Sequence, residues 1–97
     1  MGSVDIKQVY KQIAEFAHKY GAQKVVLFGS RARGTNSERS DIDLAVYGCS
    51  EFEKLYDALN EELWSLLALD IIDMSRNISE ELKQEIEREG VILYEEV

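Results

Sequence analysis

The chain has 97 residues, a formal net charge of −8 and 45% hydrophobic residues. That length accommodates one small domain, residues 1–97, with one core and no room for a second, and the apolar fraction belongs to a folded chain rather than a disordered one. No apolar run approaches the roughly 20 residues of a membrane span, and the single cysteine, Cys49, excludes an intrachain disulfide and a cysteine-based zinc site.

The start, Met1-Gly2-Ser3-Val4-Asp5, lacks the basic residues and apolar stretch of a secretion signal, so a cytoplasmic location is expected. Charge is unevenly spread. Residues 1–49 carry seven Lys/Arg against five Asp/Glu, whereas residues 50–97 carry four against fourteen. An acidic second half disfavours broad binding to a nucleic-acid backbone. It reads as solvated helix surface, or as a face for a basic partner.

Residues 5–20 repeat apolar positions at helical spacing (Ile6, Val9, Tyr10, Ile13, Phe16, Ala17, Tyr20), with Gly21 placed to end the helix. Residues 24–28 read as a short buried strand. A short helix is expected to open at Ser30 and run to about Gly34, followed by a polar loop over 35–40. Residues 41–47 alternate, putting Ile42, Leu44 and Val46 on one face and Asp41, Asp43, Ala45 and Tyr47 on the other.

Ser50-Glu51-Phe52-Glu53 has the form of a capping box, and the helix after it, with Phe52, Leu55, Tyr56, Leu59 and Leu63 on one face, is expected to reach about Leu67. Residues 69–74 read as a third strand. Residues 77–89 read as a last helix with Leu82 and Ile86 inward and Gly90 at its end. Val91-Ile92-Leu93-Tyr94 is an edge strand or a docked tail. Strands alternating with helices predict an α/β sandwich.

Two stretches carry chemistry. Asp41 and Asp43, two apart on a strand, point to one face with Cα atoms about 6.5–7 Å apart. Acids that close can share Mg²⁺, which takes a few carboxylates plus water and phosphate oxygens. Without a cation they repel, and one resists ionisation. An Asp-x-Asp alone is more often a solvated strand end than a metal site. Here it follows Gly29-Ser30-Arg31-Ala32-Arg33-Gly34, where Gly29 permits close backbone approach, Ser30 offers a hydroxyl, and a helix start favours an anion. Arg31 and Arg33, both or only one of them pointing inward, are placed to neutralise a triphosphate, with Arg39 and Ser40 close in sequence. A further acid is either Asp70 or Asp73. These face opposite sides of their strand, and periodicity does not choose between them.

Gly29-Ser30, its Arg31-Ala32-Arg33-Gly34 continuation and Ser40-Asp41-Ile42-Asp43-Leu44 together resemble the signature of the minimal nucleotidyltransferases of the DNA polymerase beta-like superfamily. The resemblance runs from about Tyr20 to the C-terminus. It implies a small mixed β-sheet flanked by helices. It also implies nucleotide binding by Gly29, Ser30, Arg31, Arg33 and Ser40, with two Mg²⁺ ions held by Asp41, Asp43 and Asp70. Asp70 is favoured over Asp73 because the family's third acid opens an acid-apolar-apolar strand, matching Asp70-Ile71-Ile72. The implied reaction transfers NMP, AMP from ATP in the first instance, to an acceptor hydroxyl. The implied partner is a helical HEPN protein for which the chain is the antitoxin. Larger relatives carry a second, acceptor-binding domain for which these residues leave no room, which disfavours an antibiotic-modifying enzyme. A silent interaction module that neutralises a partner by binding is the competing expectation.

Other residues are read as structural. His18 lies where a cation suits a helix C-terminus. Trp64 is core or a partner anchor. Tyr47 packs or stacks on a base, and Cys49 is an inert small residue.

Overall fold

The computed structural model describes residues 5–37, 39–63 and 67–96. Helix α1 covers Ile6–Lys19. The Asp5 side chain caps its start by accepting from the Lys7 N–H at 3.0 Å. At its end Gly21, with φ 78°, turns the chain into a left-handed cap. Bonds from Ala22 N–H to Ala17 O and from Gly21 N–H to His18 O there take up two otherwise orphaned carbonyls. Strand β1 follows (Lys24–Phe28), then the single-turn helix α2 (Ser30–Arg33) and strand β2 (Ile42–Tyr47). Asp41 thus stands one residue outside the strand expected to include it.

Helix α3 (Phe52–Glu61) differs from expectation at both ends. The capping box does not form. Glu51 is the N-cap without a side-chain cap bond, and its carboxylate instead pairs with Lys54 at 2.9 Å. The helix stops at Glu61 rather than near Leu67. Its last turn holds no basic residue, and Asp57, Glu61 and Glu62 place negative charge against the negative end of the helix dipole. Trp64 lies outside the described residues.

Strand β3 (Leu69–Asp73) ends one residue short of the expected Met74. Helix α4 is Glu80–Glu89, three residues shorter at its start than expected, because Ser79 takes the N-cap and accepts from the Leu82 N–H at 3.2 Å. The final segment is an edge strand, β4 (Val91–Glu95).

The strands form one mixed sheet in the order β3-β2-β1-β4. β1 runs antiparallel to both β2 and β4, while β2 and β3 are parallel with α3 in the crossover between them. The alternation read in residues 42–47 is realised. Ile42, Leu44 and Val46 join Val25 and Leu27 in a core cluster with Val9, Ile13 and Ala17 of α1 and Leu55 and Leu59 of α3. Ala45 faces the other way, with Val26, Phe28 and Ile86 of α4, and Leu82, Ile72, Met74 and Tyr47 pack around them. The sheet therefore separates α1 and α3 from α4, in agreement with the expected α/β sandwich.

Leu44 is fully buried in a central strand. Leu44→Ala should lower unfolding free energy by about 3 kcal/mol, the usual size for such a cavity, measured by urea denaturation.

Candidate active site

The expected residues gather at the end of the sheet where β1 finishes and β2 and β3 begin. Asp43 is the second residue of β2 and Asp70 the second of β3, and the parallel register makes them direct neighbours. On its other side Asp43 pairs with Phe28, the last residue of β1. Asp43 and Asp70 share the α4 face of the sheet with Ala45 and Ile72, two residues further along each strand. Asp73 is on the opposite parity at the far end of β3. Its carboxylate is occupied there by Ser75, through the backbone N–H at 3.0 Å and the hydroxyl at 2.7 Å, and by Arg76 at 3.5 Å. Burial alone would raise the Asp73 pKa, but these hydrogen bonds outweigh it and hold the group below the ordinary range. Asp73 is thus a turn-capping acid.

Asp43 behaves in the opposite way. Burial raises its pKa most, and the charges of Asp70, Asp41 and Glu85 add to the rise, with Arg33 opposing. Gly29 lies directly against this carboxylate. Its φ of 77° and ψ of −157° belong to a region essentially reserved for glycine, and a Cβ at this position would collide with the Asp43 carboxylate oxygen. The buried glycine therefore serves two needs: it turns β1 into α2, and it lets the backbone pass close to the acid. Ser30 opens α2 immediately afterwards.

The two arginines of the turn have separate destinations. Arg31 ties the turn to the loop before β2, its Nε donating to Ser40 O at 3.0 Å and its guanidinium also reaching Ser37 O at 3.5 Å. Ser40 closes the same loop, its hydroxyl accepting from the Ser37 N–H at 2.9 Å. These bonds, with Ile42 N–H to Ala68 O at 2.9 Å, locate Asp41 at the mouth of β2. Arg33 instead reaches α4, 3.8 Å from Glu85 and 3.8 Å from Glu89. The sequence reading passed over these two glutamates. The signal for them was their place in the inward stripe Leu82, Glu85, Ile86, Glu89 of α4, where an apolar residue is expected. Arg39 is exposed on the loop.

Other candidates are drawn elsewhere. Tyr47 lies on the acids' face but four residues along β2, about 13 Å from Asp43 at strand spacing, beneath the Lys24 ammonium at 4.6 Å. It is a packing residue rather than a base-stacking one. His18 is exposed and its Nδ1 meets the Tyr94 hydroxyl at 3.1 Å, away from the acids. The Cys49 thiol donates to Tyr20 O, and burial raises its pKa, as for an unreactive thiol. A shallow concavity of 390 Å³ at the opposite end of the strands, lined by Cys49, Phe52, Lys54, Asp73 and Arg76 among others, shares no residue with the acids.

Asp41, Asp43 and Asp70 suit a small hard cation. All donors are carboxylate oxygens, and Asp41 and Asp70 are exposed, which leaves room for waters and phosphate oxygens. The charge crowding on Asp43 is what a cation would relieve. Among the described residues no group of three or more His, Cys, Asp or Glu side chains is arranged to hold a metal ion.

The polymerase beta nucleotidyltransferase family model matches residues 11–97. The chain is a member of that family. It is 30% identical over 96 residues to a Methanocaldococcus jannaschii protein named "putative protein adenylyltransferase", an alignment covering 87% of this chain and 96% of that one. Its structure superposes on a crystal structure of a toxin–antitoxin with AMP-PNP at a TM-score of 0.69 and 26% identity, covering 90% of this chain and 73% of the other. A structure named "putative minimal nucleotidyltransferase" matches at a TM-score of 0.69 and 27% identity, covering 89% and 90% of the two chains. The enzyme is thus a nucleotidyltransferase built on the fold its signature implied. Among the described residues no helix is long and apolar enough to cross a membrane.

Two consequences can be measured. Gly29→Ala should cost about 2 kcal/mol or more of stability, from the glycine-only conformation and the collision with Asp43, read from chemical denaturation. Asp43 binds its proton more tightly folded than unfolded, so its contribution to stability is present below the ordinary value of 3.8 and is lost as pH rises through the raised value. Asp43→Asn should therefore melt higher than the native chain at pH 7 in chelator, and the gap should close as pH falls toward 3.8.

Proposed function

We propose that this nucleotidyltransferase moves AMP from ATP onto a hydroxyl of a partner protein, and that it acts as the antitoxin of a pair whose other member is a helical HEPN protein. The observation that carries the reading is the placement of Asp43 beside Asp70, with Asp41 at the strand mouth and the Gly29-Ser30 turn directly against Asp43. The name of the M. jannaschii relative supports a protein acceptor. The toxin–antitoxin structure with AMP-PNP supports an adenine nucleotide and a toxin partner.

In this reading Asp41, Asp43 and Asp70 hold Mg²⁺, two ions in the full complex. Bound there, magnesium supplies positive charge that neutralises the triphosphate and makes an acceptor hydroxyl more acidic. Gly29 and Ser30 bring the start of α2 against the phosphates, where its backbone N–H groups favour negative charge. Arg31 acts indirectly, holding the loop that sets Asp41. The acceptor oxygen attacks the α-phosphorus in line as the bond to the β-phosphate oxygen breaks and pyrophosphate leaves. In this reading Asp70, which is exposed, helps accept the hydroxyl proton.

The test incubates the protein with Mg²⁺, α-labelled ATP and lysate of the source organism, comparing the native chain with Asp43→Asn. Label on a protein band, reduced at least about 100-fold in the variant, is the expected result. Label on RNA or a small molecule would overturn the protein acceptor and leave the transferase. No label with ATP still bound would transfer the function to partner binding alone. Independently, Mg²⁺ with ATP should raise the melting temperature of the native chain more than that of Asp43→Asn, since only a ligand of the folded state stabilises it.

A further inference from the structure

Arg33 occupies an unusual place. It is the last residue of α2, so its backbone belongs to the turn that faces the acids, yet its side chain is spent on α4. One guanidinium is shared between two carboxylates, Glu85 at 3.8 Å from Nη1 and Glu89 at 3.8 Å from Nε. These are ion-pair distances, longer than charge-assisted hydrogen bonds. The Arg33 side chain is 40% exposed and its partners 36% and 24%. Water therefore screens the pairs, and breaking them costs little. Arg33 thus belongs to the same short turn whose Gly29 lies against the Asp43 carboxylate, while its guanidinium meets two acids of α4.

Arg31 has no such latitude, because its fork is already bonded to the Ser40 and Ser37 carbonyls. A triphosphate brings several negative charges and an oxygen array that a planar guanidinium matches in bidentate fashion. The carboxylates of Glu85 and Glu89 compete for that same fork.

We propose that Arg33 is a phosphate-binding residue held in reserve: Glu85 and Glu89 keep its guanidinium against α4 until a nucleoside triphosphate displaces them, and these two glutamates thereby set how tightly nucleotide binds. The proposal rests on the nucleotidyl-transfer reading above and adds α4 to the site. Since Glu85 and Glu89 are one helical turn apart on α4, and α4 leads directly into β4, nucleotide binding also loosens one tie between α2 and that helix.

The experiment is a mutant cycle read by calorimetry with α,β-methylene-ATP and Mg²⁺ at fixed ionic strength, this analogue being inert to transfer at the α-phosphorus. Arg33→Gln should weaken binding. Glu85→Gln with Glu89→Gln should tighten it about five-fold when Arg33 is present, and change it by less than about two-fold in the Arg33→Gln background. Equal tightening in both backgrounds would mean that the glutamates act only through their general field, and overturns the proposal. Weaker binding in the glutamate variant would mean that they hold Arg33 ready rather than away, and overturns it too. A native chain that binds no triphosphate would sink the nucleotidyl-transfer reading together with this one. Melting curves of the same samples establish that each variant is folded.

Discussion

The constraint on which the site depends is an unfavourable one. Parallel pairing of β2 with β3 makes Asp43 and Asp70 register neighbours, and two carboxylates side by side on a sheet repel. Asp43 is partly buried as well, so its ionised form loses hydration and gains like-charged neighbours together. The fold tolerates this because the neighbouring positions are strongly favourable. Ile42 and Leu44, on either side of Asp43 in sequence, point to the opposite face and are fully buried under α1 and α3. A register slip would relieve the acids only by turning those side chains out of the core. Apolar burial on one face thus enforces charge crowding on the other.

Gly29 completes that arrangement. β1 ends at Phe28, the antiparallel partner of Asp43, and the chain must reverse into α2 without placing an atom over the carboxylate. Only a residue without Cβ satisfies both the positive φ and the close approach. The turn, the acid and the strand pairing are therefore one unit, and a change in any of them is felt by the others.

The two arginines show how similar residues diverge through context. Arg31 and Arg33 are two apart on a single helical turn and so point in different directions. One braces the 35–40 loop through backbone carbonyls, a structural role that sets Asp41. The other crosses to α4 and meets glutamates in a stripe otherwise reserved for apolar residues. The fully buried residues of the chain are apolar, with no buried charged or polar side chain among those described.

Much of this was legible in the residues themselves. Period-two alternation in residues 42–47 determined which side chains share a face, and β-branched apolar runs marked β1 and β3. Helical spacing marked α1 and α4, and Gly21 marked the end of α1. The Gly-Ser turn followed by Asp-x-Asp singled out the end of the sheet where Gly29, Asp43 and Asp70 meet. Local signals failed at element ends: Ser79 rather than Asn77 capped α4, Glu51 rather than Ser50 became the N-cap of α3, and α3 stopped at Glu61 among acidic residues. Spacing within one strand says nothing about which strand lies beside it. Periodicity left Asp70 and Asp73 open and only the family pattern favoured Asp70; the register that sets Asp70 beside Asp43, and the meeting of Arg33 with Glu85 and Glu89 some fifty residues away, were decided by tertiary structure. Side-chain periodicity is a property of each element alone. Register and helix docking are set by how all the apolar faces are buried together.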